Sequence, residues 1–307
     1  MGDKLNLTIP KYIPYVFFCV LSAYLFYNSA ALGFLYPVSW SVFIAAGCLC
    51  QRAELLQMEI IFVLLSAVVL NEAAAAAGLI LSLIFLLTGA FLKKTASYKY
   101  AFAVCVILMA IFMITGLFLL DYGGLFDIKK VLKTGFDSLK LAAEEYNKAG
   151  RPTLNLDYDK LYNISLKFFP SFIINFGVVF ALANLGIAVR YLALKGIHLN
   201  DYFRDFHVST FFAVPILALS ALFFLGKDQT GGYMSVVTGN VIAVGLFVIA
   251  LQGMSVVFFI SRNVKGFLKG ILNFLTVLIF LMEPFIYISL GFADIALNVR
   301  KQRRSLK

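Results

Sequence analysis

The sequence predicts an all-α, polytopic integral membrane protein of about eight transmembrane helices, or nine if a broken segment is counted separately. Three observations lead there. Of 307 residues, 62% are hydrophobic and only 14% are charged, against about 25% charged in an average soluble domain. Apolar runs of about eighteen residues or more recur, and each can cross a hydrocarbon core of about 30 Å. Lipid admits only helices or closed barrels as spanning structures, and runs this long are not barrel strands.

The membrane class also accounts for charge and cysteine. A net charge of +10 in a soluble protein would point to nucleic acid. Here the basic residues sit in loops and at the C-terminus, where topology and anionic lipid explain them, so no nucleic-acid partner is expected. Cys19, Cys48, Cys50 and Cys105 all lie in apolar runs. Cys48 and Cys50 point about 200° apart on a helix, so they are not a metal pair, and all four read as small hydrophobes.

The N-terminal membrane half covers residues 1–120. Its first apolar run, 13–36, continues past the small residues Ser29-Ala30-Ala31, as an uncleaved span would. Pro37 breaks it, and a shorter apolar segment covers 38–50. Residues 58–92 would reach about 50 Å as one helix, too long for one crossing, and Asn71-Glu72 is the expected break. Just after it, Ala73 with Ala77 and Ala74 with Gly78 have the small-xxx-small spacing that lets helices approach closely, a candidate docking face. Residues 100–120 form the next span.

A polar excursion, 121–167, divides the chain. Within it, residues 125–149 are predicted as an amphipathic helix: apolar residues fall at 125, 128, 132, 136, 139, 143 and 146, the spacing of one helical face. Lys129, Lys130, Lys133, Asp137 and Lys140 lie opposite, and Gly150 with Pro152 marks the stop. Such a helix lies in the membrane interface or packs on the cytosolic ends of other helices.

The C-terminal membrane half is 168–299, followed by a basic tail, 300–307. Its runs are 168–194, 208–225, 235–260 and 271–297, the last interrupted by Glu283-Pro284, where a kink is expected. With nine crossings, lysines and arginines divide almost evenly between the two sides. Arg204, Arg262, Lys265 and Lys269 then lie opposite the tail. The dense basic cluster at the tail places the C-terminus on the cytoplasmic side of the cell's inner membrane.

No catalytic constellation, metal-ligand motif or phosphate-binding glycine loop is present, so neither enzyme activity nor a cofactor is expected. His198 and His207 read as polar loop residues. Ionisable and amide side chains inside apolar runs carry more information, because burying them in a membrane is costly. Glu72, Glu283 and Asp294 are such residues, and Arg300 and Lys301 are placed to compensate Asp294. Asn28, Asn175, Asn184, Asn240, Gln252 and Asn273 read either as interhelical hydrogen bonding or as a solute site. Glu283, Gln252 and Asn240 are the candidate solute-binding residues, bordering a cavity at the Pro284 kink.

Four stretches carry a resemblance: 183–196, 211–215, 240–257 around Leu251-Gln252-Gly253, and 290–301 with Gly291, Asp294 and Arg300. They resemble the YybS-like predicted membrane proteins, domain-of-unknown-function family 2232. The similarity covers most of the chain and is strongest over 175–301. It implies a distant relation to the substrate-binding components of energy-coupling-factor transporters. The expectation is a small-solute-binding transporter subunit in the lipid bilayer, driven by a separate energy-coupling ATPase module, with the ligand unidentified. A non-transporting membrane scaffold or envelope-assembly factor is the alternative.

Overall fold

The computed structural model describes residues 39–69, 72–122, 127–148, 156–225 and 233–300, with a few positions between 16 and 24. Among them are ten α-helices and no strand. They are α1 Ser41–Leu49, α2 Arg52–Val69, α3 Glu72–Thr95, α4 Tyr98–Tyr122, α5 Ile128–Lys148, α6 Tyr158–Leu194, α7 Thr210–Leu225, α8 Tyr233–Ile260, α9 Phe267–Met282 and α10 Pro284–Leu297. Four stretches are long and apolar enough to span a membrane: 75–95, 98–119, 158–194 and 234–263. The α9–α10 pair makes a fifth if counted as one span. The expected total of eight is therefore not reached among the described residues, and most of the first apolar run, 13–36, lies outside them. The break expected at Asn71-Glu72 falls between the end of α2 and the start of α3, Asn71 itself lying outside the described residues.

Two compact units emerge, 1–112 with 177–203, and 113–176 with 204–307.

In the first unit, Trp40, Phe43, Phe62 and Phe85 form an aromatic core with ring centroids 5.0 to 6.1 Å apart. Glycines let α1 and α3 touch backbone to backbone. A Cβ on Gly47 would stand 2.4 Å from the Leu86 carbonyl oxygen, and one on Gly89 would stand 2.1 Å from that of Ile44. Of the candidate docking face, Gly78 instead lies against the Phe62 ring of its own unit, and Ala77 is exposed. The side chains of Ala73 and Ala74 are outside the described residues. Asp201 holds the start of α4: its carboxylate accepts from Tyr98 N–H at 2.6 Å, Ser97 Oγ at 3.0 Å and Lys99 N–H at 3.3 Å. A negative charge there matches the positive end of the helix dipole.

In the second unit, glycines do the same for α8 and α10. A Cβ on Gly253 would meet the Tyr287 carbonyl oxygen at 1.9 Å, and one on Gly291 that of Ile249 at 2.1 Å. Ala213, Ile216 and Ile249 form the apolar core beside this contact.

α6 starts at Tyr158, ten residues before the expected boundary, with Asp157 accepting from Lys160 N–H at its N-terminus. It continues through Pro170, whose missing N–H and bulky ring should weaken that turn. The Asn240 side chain from α8 repairs it. Its Oδ1 accepts from Ser171 N–H at 2.8 Å and its Nδ2 donates to the Lys167 carbonyl at 2.8 Å. These are the donor and acceptor that a regular helix would pair with each other.

At Pro284 the expected kink is a complete break. Glu283 leaves helical geometry, at φ −135° and ψ 69°, and Pro284 begins α10, where its fixed φ suits a first helical position. The two axes differ by 106°. Tyr287 Oη donates to the Thr276 carbonyl at 2.8 Å across the bend. The turn has a consequence for topology. Arg300, beyond α10, donates to Ser255 near the end of α8 and to the Arg204 carbonyl ahead of α7. Residues 204, 255 and 300 thus share one end of the unit, which corrects the charge tally that set Arg204 opposite the tail. The tally counted the last run as a straight crossing, whereas its two helices meet at 106°.

Two outcomes test these features. Asn240→Ala orphans two backbone groups and should cost about 1–3 kcal/mol in detergent unfolding. Pro170→Ala should recover part of that loss in the double variant; strictly additive effects would show that Asn240 does not act on the proline turn. Cysteines placed at Asp205 and at Ser305, in a background lacking native cysteines, should be labelled from the same side of the membrane. Labelling from opposite sides would mean that α9–α10 crosses.

Candidate functional site

Four side chains buried in the second unit form one polar network: Gln252 and Ser255 on α8, Asp294 on α10, and Arg300 beyond it. Asn298 makes this possible. It adopts the left-handed conformation, φ 50° and ψ 49°, and ends α10 with its N–H on the Asp294 carbonyl. Asparagine tolerates that conformation better than most residues. The chain reverses there, and Arg300 folds back onto the helix it has just left.

The geometry is dense around one oxygen. Asp294 Oδ2 accepts from Arg300 Nη2 at 2.8 Å, Arg300 Nε at 3.1 Å and Gln252 Nε2 at 2.8 Å. The other oxygen, Oδ1, is buried without a hydrogen-bond partner. Arg300 Nη2 also donates to Ser255 Oγ at 3.0 Å. Ser255 Oγ lies 2.7 Å from the Gln252 carbonyl and 3.0 Å from that of Phe206, its single proton serving one at a time.

A short strap, residues 204–208, lies over the network and is tied to it mainly through main-chain atoms. The Arg204 carbonyl accepts from Arg300 Nη1 at 2.9 Å. The Phe206 carbonyl faces Ser255, and Val208 N–H donates to Gln252 Oε1 at 2.7 Å. Gln252 Nε2 also meets His207 Nδ1 at 3.2 Å. The Val208 and Asp294 bonds together fix which end of the Gln252 amide is oxygen. An amide nitrogen only donates, so His207 Nδ1 accepts and the neutral ring carries its proton on Nε2. His207 Nδ1 is 3.9 Å from Asp294 Oδ2, and the ring is half exposed. The strap's outer surface therefore presents an imidazole close to the buried acid.

The sequence-derived solute residues are not hydrogen-bonded to one another. Gln252 joins Asp294. Asn240 uses both amide protons and its oxygen on the main chain at Lys167, Val236 and Ser171. Glu283 is exposed at the α9–α10 break. Arg300 compensates Asp294 as expected, while Lys301 lies outside the described residues. His207, read as an ordinary loop residue, belongs to the network together with Ser255. Nothing local marks either one, since their partners stand 45 to 49 residues away along the chain. No cluster of residues suited to a metal occurs among the described residues.

The first unit holds a second buried acid that sequence reading passed over. Glu59 on α2 accepts from Ser82 Oγ on α3 at 2.8 Å, and its Oε1 has no partner. One signal was available: Glu59 is an ionisable residue at the second position of an apolar run.

An all-helical chain with several membrane-length apolar helices and charged groups sealed inside a helical unit is a multi-pass membrane protein. This chain belongs to the family described as Predicted membrane protein (DUF2232), which matches residues 13–295. No curated protein and no solved structure matches it.

Breaking a buried ion pair is costlier than deleting it, because one charge is left uncompensated. Arg300→Ala should therefore cost about 3–5 kcal/mol, measured by SDS-induced unfolding. Arg300→Ala with Asp294→Ala should cost clearly less than the sum of the single substitutions. Additivity would show that the two do not act as a pair.

Proposed function

We propose that this protein is a non-enzymatic subunit of the cell's inner membrane that binds a small polar solute at Asp294, beneath the 204–208 strap. The observation that carries the reading is the unpartnered Oδ1 of Asp294. A carboxylate oxygen buried without a hydrogen bond is expensive to maintain. A ligand bearing an N–H, O–H or cationic group would satisfy it. Arg300 and Gln252 hold the other oxygen and so orient the carboxylate, and His207 stands where a solute would pass the strap. The resemblance to substrate-binding components of energy-coupling-factor transporters supports the same reading. So does the lack of a phosphate-binding motif in the sequence, with energy then supplied by a separate ATPase. On this reading Asp294 and His207 replace Asn240 and Glu283 as the ligand-facing residues.

The scaffold alternative draws on a different observation: Gln252 and Arg300 spend most of their hydrogen-bonding groups on internal bonds, as in a purely structural lock.

Native mass spectrometry of gently solubilised protein separates the two. The solute reading expects a retained small molecule that is lost in Asp294→Asn, and weakened in His207→Ala, which alters a half-exposed side chain and should fold normally. It also expects an ATPase to co-purify from native membranes. If no small molecule is retained, or if both variants retain it as the parent does, the site is structural and the scaffold reading stands.

A further inference from the structure

We propose that α5 is a bilayer-surface helix that inserts one flank among the headgroups of anionic lipids while its other flank stays on the protein. The inference is independent of the solute site.

Successive residues on a helix are about 100° apart, which collects the apolar residues of α5, Leu141 excepted, on one arc of less than half a turn. The arc is not uniform. Leu132, Phe136 and Ala143, on one side, are half-buried, and the Phe136 ring packs edge-on against Tyr162 of α6 at 6.2 Å. Val131 and Leu139, towards the other side, are 51% and 58% exposed, and the neighbouring Ala142 is exposed too. No residue of α5 is fully buried. The protein thus covers one flank and leaves the other open.

Three observations name the occupant as lipid. The first is tethering. Five residues separate α5 from α4, whose stretch 98–119 can span a membrane, and nine separate it from α6, which can also span. Five residues reach at most about 18 Å, so α5 begins close to where α4 leaves the bilayer. Tyr122, 84% exposed at the end of α4, is a residue type that marks that boundary. The second is charge. α5 carries five lysines against three acids, a net positive charge that an anionic surface attracts. The third is charge order. Lys129, Lys130 and Lys133 crowd the N-terminal end while Glu144 and Glu145 lie near the C-terminal end. This opposes the helix dipole, so the lysines weaken α5 as an isolated helix. Asp127, accepting from Lys130 N–H at 3.0 Å, offsets part of that cost. An anionic surface gives the lysines a favourable partner.

The chain has a single tryptophan, the buried Trp40, so added tryptophans can be read against a constant background. The full-length protein is placed in nanodiscs of phosphatidylcholine with or without phosphatidylglycerol, part of the phosphatidylcholine being brominated. Leu139→Trp should be blue-shifted and quenched several-fold more by brominated lipid than Asp137→Trp, on the opposite face. Replacing Lys129, Lys130 and Lys133 by Gln should abolish the extra quenching that phosphatidylglycerol brings. Equal quenching at 137 and 139, or a blue-shifted Leu139→Trp that brominated lipid does not quench, would overturn the proposal. The second result would mean that protein covers the flank. Quenching unaffected by phosphatidylglycerol would overturn the anionic part.

Discussion

The guanidinium of Arg300 serves Asp294, Ser255 and the Arg204 carbonyl at once, and much of the second unit depends on it. It joins the end of α10, the interior of α8 and the strap leading into α7. In an apolar interior such a tie is strong because the groups it satisfies have no water to turn to instead. The glutamine beside it extends the same logic to Val208 and His207. Secondary structure leaves the strap's backbone groups unpaired, and the network completes them.

The same requirement recurs at Pro170. There the missing N–H would leave a weak turn, and Asn240 adds bonds to the Ser171 N–H and the Lys167 carbonyl on either side of it. At Pro284 the solution differs. There the helix ends, and two shorter helices meet at a steep angle held by the Tyr287 hydroxyl on the Thr276 carbonyl. Two prolines with one chemical defect thus have opposite structural outcomes, decided by whether a neighbouring helix offers an amide at the right height.

Close packing has its own recurring device. In each unit a pair of glycines faces across a helix contact, Gly47 with Gly89 and Gly253 with Gly291, and each sits against a carbonyl oxygen of the other helix. Without a hydrophobic drive between helices in lipid, such proximity gains dispersion contacts that bulkier residues would prevent. In the second unit it also sets the spacing at which Gln252 reaches Asp294. The packing and the polar network are therefore one arrangement, and a functional role for the network would inherit its precision from two glycines.

Composition and periodicity by themselves determined the class: helical, membrane-embedded, with an amphipathic helix between apolar runs and a discontinuity at Pro284. Those properties depend on neighbours along the chain, within reach of a window of a few turns. The Asp294–Arg300 pairing was legible for the same reason, six residues apart at a helix end. The tertiary structure alone decided the rest. It drew His207 and Ser255 to that pair and gave Asn240 to a proline on another helix. It left Glu283 exposed, used Gly78 inside its own unit, and brought Arg204 to the same end as the tail. Each of these rests on contacts between residues 16 to 100 positions apart, beyond the helix they start from, or on a bend whose angle local composition does not encode. A single proline signals that a helix must yield; whether it bends, breaks or is repaired depends on what the folded chain places beside it.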